Sequence, residues 1–233
     1  MPQTLETIVL SPHFDDAVFS CGAYLARHPE AVVLTVFAGV PPEGIRTPSW
    51  DQRCGFDCPQ AAMRARHDEN ARALETLGVR GEQLPLLDQQ YGGEGEGLVA
   101  VLTETLSRIG GTQVFLPLGL FHDDHVRVSN AGLLVCGLLG RVCIAYEDAL
   151  YRRKLGLVRQ RFAELAAAGV CAVPWRSERA DIPAKACAVK AYASQLRALG
   201  LTPGEGDDAR PEHYWRLLPP LSAGGRAGEG ARA

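Results

Sequence analysis

The sequence has no excess of charge of either sign, no long hydrophobic run and no cationic leader. Its 24 lysine and arginine residues nearly balance 27 aspartate and glutamate residues, for a formal net charge of −3. A balanced chain lacks the basic surface typical of proteins that bind nucleic acid or anionic membranes. No apolar stretch approaches the roughly 20 residues that a transmembrane helix requires, and the N-terminus has no secretory signal pattern. We therefore expect a cytoplasmic protein that binds neither nucleic acid nor membrane.

The cysteines do not define a site by themselves, and a phosphate-binding glycine motif is missing after the first predicted strand. The seven cysteines are an odd number scattered along the chain, which is typical of reduced thiols in a cytosolic protein. Only Cys54 and Cys58 invite attention as a pair, either as plain loop thiols or as a local disulfide or metal clip. No G-x-G-x-x-G segment follows the first predicted strand, so a nucleotide cofactor is not expected.

Short apolar segments alternate with helical segments along most of the chain. Strands are predicted at Thr7–Ser11, Ala31–Phe37, Gln83–Leu87, Gln113–Leu116, Val142–Tyr146 and Val170–Val173, and helices at Ala17–Arg27, Ala61–Leu77, Leu98–Ile109, His125–Leu139, Lys154–Ala168 and Pro183–Leu199. This alternation predicts a single α/β domain over residues 1–221, Rossmann-like and doubly wound, with a mainly parallel sheet and helices on both faces. Residues 38–60 are predicted to be a loop that serves as an active-site lid, and residues 222–233 a disordered tail.

Acidic and imidazole side chains follow two of the predicted strands. His13, Asp15 and Asp16 follow the first strand, and a His-Asp-Asp-His run at residues 122–125 follows the strand that ends at Leu116. In the common doubly wound order these two strands flank the point where strand order reverses, and ligands bind there. Aspartates in such turns also cap helices, but two clusters with three of the six histidines fit capping alone poorly. We expect the clusters to face each other across one site.

This set of side chains matches the chemistry of a catalytic metal. Two histidines and one carboxylate bind a catalytic zinc, which keeps a further position open for water. The metal lowers the pKa of that water to about 7, and a neighbouring carboxylate that binds no metal can take the proton. His13, Asp15 and His125 also match the two-histidine, one-carboxylate ligand set of a non-haem iron site. Such oxygenases are mostly β-sandwiches, however, whereas this chain alternates strand and helix.

The motifs resemble those of a known family. Pro12-His13-Phe14-Asp15-Asp16, with the 122–125 run downstream, resembles the signatures of the LmbE-like (PIG-L) zinc-dependent N-acetylglucosaminyl deacetylases. The resemblance covers about residues 5–196. It implies one zinc ion per chain, held by His13, Asp16 and His125, with Asp15 as the general base.

Further roles follow from the same resemblance. His122 would stabilise the tetrahedral intermediate or protonate the leaving amine, and Asp124 would orient an imidazole. Arg66, Asp88 and Glu147 would contact the substrate. For Arg66 a solvated helix face is an equally good interpretation, because Arg64 competes for the role, and the acidic segment Tyr146-Glu147-Asp148 is as easily a strand-end turn as a pocket wall. The substrate would be an amino sugar or sugar conjugate that loses its acyl group, and assembly into a homo-oligomer is left open.

Two residues depart from the family pattern. Ala17 follows the aspartate pair where many members have an acidic residue, and Phe14 stands where a small residue or proline is frequent. Neither is a proposed ligand, so we expect metal binding to be retained. Both are expected to line the site entrance and to affect the choice of substrate. A non-catalytic member that binds metal or carbohydrate therefore remains an alternative.

Overall fold

The computed structural model describes residues 7–177, 180–202 and 210–218, which form a seven-stranded sheet covered by helices. The strands are β1 (Thr7–Ser11), β2 (Val32–Thr35), β3 (Arg80–Gln83), β4 (Gln113–Pro117), β5 (Val142–Tyr146), β6 (Cys171–Trp175) and β7 (Tyr214–Leu218). The helices are α1 (Asp16–Leu25), α2 (Ser49–Cys54), α3 (Pro59–Leu77), α4 (Leu98–Ile109), α5 (Asp123–Leu139), α6 (Leu157–Ala167), α7 (Ile182–Val189) and α8 (Ala193–Leu199).

The strand order is β3-β2-β1-β4-β5-β7-β6. Strands β1 to β5 run parallel, while β7 pairs antiparallel with both β5 and β6. The chain moves outward from β1 to β2 and β3 on one side and then returns to β4 on the other, so the order reverses between β1 and β4. The predicted α/β fold with a mainly parallel sheet is therefore confirmed. The carboxyl ends of β1 and β4 lie side by side, where loops can build a site.

Alternating residues of the buried strands feed two separate hydrophobic layers. On β1, Ile8 and Leu10 belong to the layer that contains residues of α4 and α5. Val9 belongs to the opposite layer, which contains residues of α1, α3 and α7. All five residues of β1 are buried, which explains why its sequence is continuously apolar rather than alternating. Helices on both faces hold the central strands rigidly beneath the site.

Several predicted elements need correction. The third strand is β3 (Arg80–Gln83), and only Pro85 of the predicted 83–87 segment makes an isolated bridge, to Phe37. β3 pairs with β2 alone at the sheet edge and is largely exposed, so it carries no apolar signal. The strand β7 was not predicted. The predicted helix over residues 183–199 is two helices, α7 and α8, separated at residues 190–192.

The remaining predictions about segments have mixed outcomes. Residues 38–60 contain the helix α2 and are not a simple loop. Cys54 is buried, Cys58 is exposed, and both are free thiols, so no disulfide clip joins them. No helix within the described ranges is long and apolar enough to cross a membrane. The predicted tail at residues 222–233 lies outside the described residues.

Candidate metal centre

The turn after β1 is shaped by hydrogen bonds from its own polar side chains. The Ser11 hydroxyl donates to the carbonyl of His13 over 2.5 Å and accepts the Ala17 backbone N–H over 2.9 Å. The His13 backbone N–H donates to Asp16 Oδ2 over 2.8 Å. The chain thus passes from strand into α1 within four residues, and it presents His13, Asp15 and Asp16 at the carboxyl end of the sheet.

Three ligand-type side chains converge at this point. His13 Nδ1 lies 3.2 Å and His125 Nε2 lies 3.3 Å from the same oxygen, Asp16 Oδ2. All three atoms lie within 4.8 Å of one another. The His125 Nε2 atom is buried and has no hydrogen-bond partner, a costly state for a polar atom unless a ligand satisfies it. Two imidazoles, one of them with an unsatisfied nitrogen, and one carboxylate form a ligand set that fits a zinc ion.

A carboxylate contacts the second ring nitrogen of each of these imidazoles. His125 Nδ1 lies 2.5 Å from Asp148 Oδ1, and the other Asp148 oxygen accepts the backbone N–H groups of Gly119 and Leu120. His13 Nε2 lies 3.2 Å from Asp124 Oδ2. Such carboxylates set the tautomer and orientation of metal-binding histidines. Asp124 thus lies against His13, and its orienting role stays a prediction. The structure also adds Asp148, which was not among the predicted site residues.

His122 stands beside the three ligand-type residues and has a different hydrogen-bonding state. Its Nδ1 accepts the backbone N–H of Asp124 over 3.2 Å, so in a neutral ring the proton resides on Nε2. Burial, aided by His13 and His125, lowers the pKa of His122, which favours that neutral ring. His122 lines the cavity, where its Nε2–H is a hydrogen-bond donor.

A second set of residues, His13, His122 and Asp124, also has ligand-type atoms within 4.8 Å. Two of its members are already engaged. Asp124 Oδ2 accepts the backbone N–H of Gln89 over 3.2 Å and contacts His13, while His122 Nδ1 accepts from Asp124. The unsatisfied nitrogen belongs instead to His125. The geometry therefore favours the set of His13, Asp16 and His125.

The charges of the site are strongly coupled. Burial and the adjacent Asp16 raise the pKa of Asp15 to about 6. Burial acts against the charged form of Asp16, but His125 and His13 outweigh it and lower the pKa of that carboxyl. Burial likewise opposes charge on His125, yet Asp16 and Asp148 raise its pKa to about 9. A bound cation would displace protons from the imidazoles, because histidine binds metal in its neutral form.

A cavity of about 610 Å³ opens above this centre. Its size is typical of a small-molecule site. Its floor carries the polar side chains just described and its upper walls are largely aromatic, with lining residues that include His13, Asp15, Asp16, Arg66, Asp88, His122, Trp50, Phe121 and Tyr151. Asp15 reaches the cavity beside the ligand-type residues without belonging to either candidate metal set.

Arg66 and Asp88 both line the cavity. Arg66 Nη2 donates to Asp51 over 2.5 Å, and Asp51 also accepts the hydroxyl of Tyr91 over 2.7 Å. The Arg66 side chain is buried rather than solvated, and its Nε has no hydrogen-bond partner. Asp88 Oδ2 lies 3.7 Å from His13 Nε2. Both residues are therefore placed where a substrate can be contacted, while the competing Arg64 is exposed.

Glu147 does not join them. Its two carboxylate oxygens are bonded to His213 and to the indole N–H of Trp215, each over 3.0 Å, and it is not among the cavity-lining residues. The structure therefore gives no support to the predicted substrate contact of Glu147. The next residue, Asp148, contacts the metal centre instead, because its carboxylate lies 2.5 Å from His125 Nδ1. Glu147 and Asp148 are adjacent in sequence, yet only Asp148 contacts the metal centre.

Residues 38–60 contribute a folded wall to the cavity. Pro48, Ser49, Trp50 and Arg53 line it, and the Trp50 indole N–H donates to Gln195 Oε1 on α8 over 3.0 Å. The predicted position over the active site is therefore observed, but as a docked helix. Phe121 and Tyr151 line the opposite side, with ring centroids 5.3 Å apart. No motif identified these aromatic residues, because they come from unrelated loops.

The two departures from the family pattern have different surroundings. Phe14 lines the cavity as expected, and it packs with Met63 and Tyr91 in a small buried cluster. Ala17 is fully buried in the core layer that contains α1 and is not a lining residue. The expectation that Ala17 lines the entrance is therefore wrong, because α1 has already turned its side chain into the core.

Two imidazoles, a carboxylate and a separate aspartate thus lie together at the strand-order reversal of an α/β fold. The family model described as PIG-L, GlcNAc-PI de-N-acetylase, matches residues 8–136, more than half of the chain. The protein belongs to this family. No curated protein matches the chain.

Solved structures of this fold cover nearly the whole chain. The A40926 pseudoaglycone deacetylase Dbv21 is 26% identical with a TM-score of 0.73, covering 94% of this chain and 99% of its own. The zinc-inhibited form of the teicoplanin deacetylase Orf2 is 22% identical with a TM-score of 0.75, covering 91% and 98%. The hydratase GalB from Pseudomonas putida shares the fold at 15% identity and a TM-score of 0.62, covering 97% and 100%. The fold alone therefore does not define the reaction.

Proposed function

We propose that the protein is a zinc-dependent deacetylase that hydrolyses the amide of an N-acetylated sugar or sugar conjugate. The proposal is supported by membership of a family described as a GlcNAc-PI de-N-acetylase and by similarity to two deacetylases. The observation that carries it is the unsatisfied, buried Nε2 of His125, within 3.3 Å of Asp16 at the floor of a cavity. That nitrogen is free to serve as a ligand of a catalytic metal.

Zinc would be held by His13, Asp16 and His125, one ion per chain. When bound, it supplies a Lewis acid that polarises the amide carbonyl and lowers the pKa of water to about 7. The carboxylates of Asp148 and Asp124 keep the two imidazoles in the orientation that ligation requires. These contacts pre-organise the ligands before any substrate enters.

The protein's own side chains would carry the proton transfers. Asp15 reaches the cavity beside Asp16, so it can accept a proton from the attacking water and deliver it to the leaving nitrogen. The water oxygen bonds to the acetyl carbon, the C–N bond breaks, and acetate and a free amine are the products. His122 would donate its Nε2–H to the carbonyl oxygen as negative charge develops there. Both side chains stand at the cavity surface.

The polar wall of the cavity suits a sugar. Asp88 offers a carboxylate and Arg66 a guanidinium group to sugar hydroxyls, since both side chains line the cavity. A cavity of about 610 Å³ accommodates a monosaccharide together with part of an attached group. The aromatic rings of Trp50 and Tyr151 provide faces on which such a group can stack.

Acetate release from a panel of N-acetyl amino sugars and glycosides, with one equivalent of zinc, tests the proposal. We expect Asp15→Asn to lower turnover by about 10²- to 10⁴-fold, the range of a lost general base, with zinc content unchanged. Asp68→Asn, at an exposed position on α3, serves as the matched control. Absence of acetate release from every compound would support the non-catalytic alternative. A requirement for iron and oxygen would support the oxygenase alternative.

A further inference from the structure

A second groove lies beside the catalytic cavity and is lined by cationic side chains. It is open to solvent, has a volume of about 530 Å³ and is distinct from the metal centre. Its walls combine Arg153, Lys154 and Arg159 with the rings of Phe162 and Trp215, whose centroids are 4.6 Å apart. We call this site the basic groove.

The charge of the basic groove contrasts with that of the whole chain. The protein carries a formal net charge of −3, yet the residues lining the groove within the described ranges include no acidic side chain. Arg153, Lys154 and Arg159 are exposed, and none of them forms an ion pair with a carboxylate in the parts of the chain that the structure describes. A concentration of unpaired cations in a concave site attracts anions.

The basic groove adjoins the catalytic cavity at one shared residue. Lys154 lines both spaces, and its ammonium group lies 4.0 Å from the ring centroid of Phe121, a cavity residue. The loop that carries Lys154 begins next to Asp148, the residue that holds His125. The groove is therefore within reach of a substituent that leaves the cavity beside Phe121 and Lys154.

We propose that the basic groove binds an acidic group, a carboxylate or a phosphate, on the aglycone of the substrate. This inference rests on the proposed function, since it assigns the sugar to the cavity and the attached group to the groove. Charge complementarity favours an anion, and Phe162 and Trp215 favour an aglycone with an apolar or aromatic body between the sugar and the acid. The preferred substrates are thus N-acetylated sugars that carry an acidic, partly apolar substituent.

Matched pairs of N-acetylglucosaminides test the assignment. The aglycones are 4-carboxyphenyl and its neutral isostere 4-carbamoylphenyl, together with the corresponding biphenyl pair for longer reach. We expect the wild-type protein to favour the acid by roughly tenfold in kcat/KM, as two or three partly exposed ion pairs would provide. The preference should fall towards unity in Arg153→Gln/Arg159→Gln and at high salt.

Arg72→Gln is the control, because Arg72 is an exposed cation on α3 that lines neither space. Equal rates for acid and amide at both lengths in the wild-type protein would overturn the groove assignment and leave the deacetylase proposal intact. If no glycoside is hydrolysed, calorimetry still decides. Tighter binding of the acid that is lost in the double variant supports the groove, and equal binding of acid and amide refutes it.

Discussion

At the scale of single residues, the site depends on carboxylates that never need to touch the substrate. Asp148 and Asp124 each hold one imidazole, and both are almost completely buried. A buried carboxylate on the far nitrogen fixes which ring nitrogen is free to bind metal. Ligation therefore depends on the three ligand-type residues His13, Asp16 and His125 and on the two carboxylates that orient the imidazoles.

Asp148→Asn is expected to weaken zinc binding by about 10- to 100-fold, the usual effect of losing such a carboxylate. If the amide nitrogen faces His125 Nδ1, the ring must carry its proton on Nε2, the nitrogen that faces Asp16. Competition with a chelating dye measures the affinity. Glu147→Gln is the matched control, since its carboxylate bonds to His213 and Trp215. Equal zinc affinity of the Asn variant and the wild type would contradict the assigned role of Asp148.

His122→Ala is expected to lower turnover by about 10²- to 10³-fold, as loss of a hydrogen bond to a developing oxyanion does. Zinc content should stay at the wild-type level, because His122 lies outside the favoured ligand set. Metal analysis beside steady-state kinetics provides the measurement. Loss of zinc in this variant would instead select the alternative set of His13, His122 and Asp124.

At the scale of elements, close helix packing behind the site positions the turn after β1. A Cβ added to Gly22 of α1 would lie 2.8 Å from Cγ of Lys185 on α7. Lys185 is completely buried, and its ammonium group lies 3.0 Å from Glu212. Glu212 in turn accepts two backbone N–H groups of α1 and the hydroxyl of Tyr214. This network ties α1, α7 and β7 together, so the stem of Lys185 has little room to move.

Gly22→Ala is therefore expected to destabilise the protein by about 1–2 kcal/mol, because overpacking outweighs the gain in helix propensity. Gly137→Ala on α5 is the matched change, since no atom lies within 4 Å of the added Cβ. It should stabilise by about 0.5–1 kcal/mol. Urea unfolding followed by circular dichroism measures both. A Gly22 variant as stable as Gly137→Ala would show that the α1–α7 contact is not tightly packed.

At the scale of the whole molecule, the residues that form the hydrophobic core are different from those that form the metal centre. Two hydrophobic layers enclose the sheet, whereas the proposed ligands come from the turns that follow β1 and β4. A metal would link these two turns above a fold whose stability comes from apolar burial. This division explains how one architecture can support a hydratase as well as deacetylases.

Removal of zinc is expected to leave the fold intact and to lower its stability. A ligand that binds only the native state adds about 2.7 kcal/mol at a concentration 100 times its Kd. Thermal unfolding with added zinc and with a chelator measures the difference, and far-ultraviolet circular dichroism checks the secondary structure. Unfolding of the metal-free protein at room temperature would contradict this separation. Zinc-independent stability would contradict binding itself.

Much of this architecture can be predicted from the local sequence. The continuously apolar strands β1, β2 and β4 and the intervening helices predict a parallel sheet, since strands buried on both faces must be apolar throughout. The edge strand β3 was misplaced because an exposed edge carries mixed side chains. The antiparallel strand β7 was missed although it lies inside the sheet, because its residues alternate irregularly between buried and exposed. The site motifs after β1 and β4 were readable because carboxyl ends of neighbouring parallel strands meet at one sheet edge.

Other features were decided only by the tertiary structure. Asp148 rather than Glu147 reaches the metal centre, because the direction of a side chain after a strand depends on where the following loop turns. Ala17 lies in the core, Trp50 and Tyr151 form cavity walls, and the basic groove joins the cavity at Lys154. These contacts join residues far apart in the chain, whereas the metal motifs lie within two short segments. The sequence by itself thus determined the fold class and the chemistry on offer, and three-dimensional packing decided which side chains can act together.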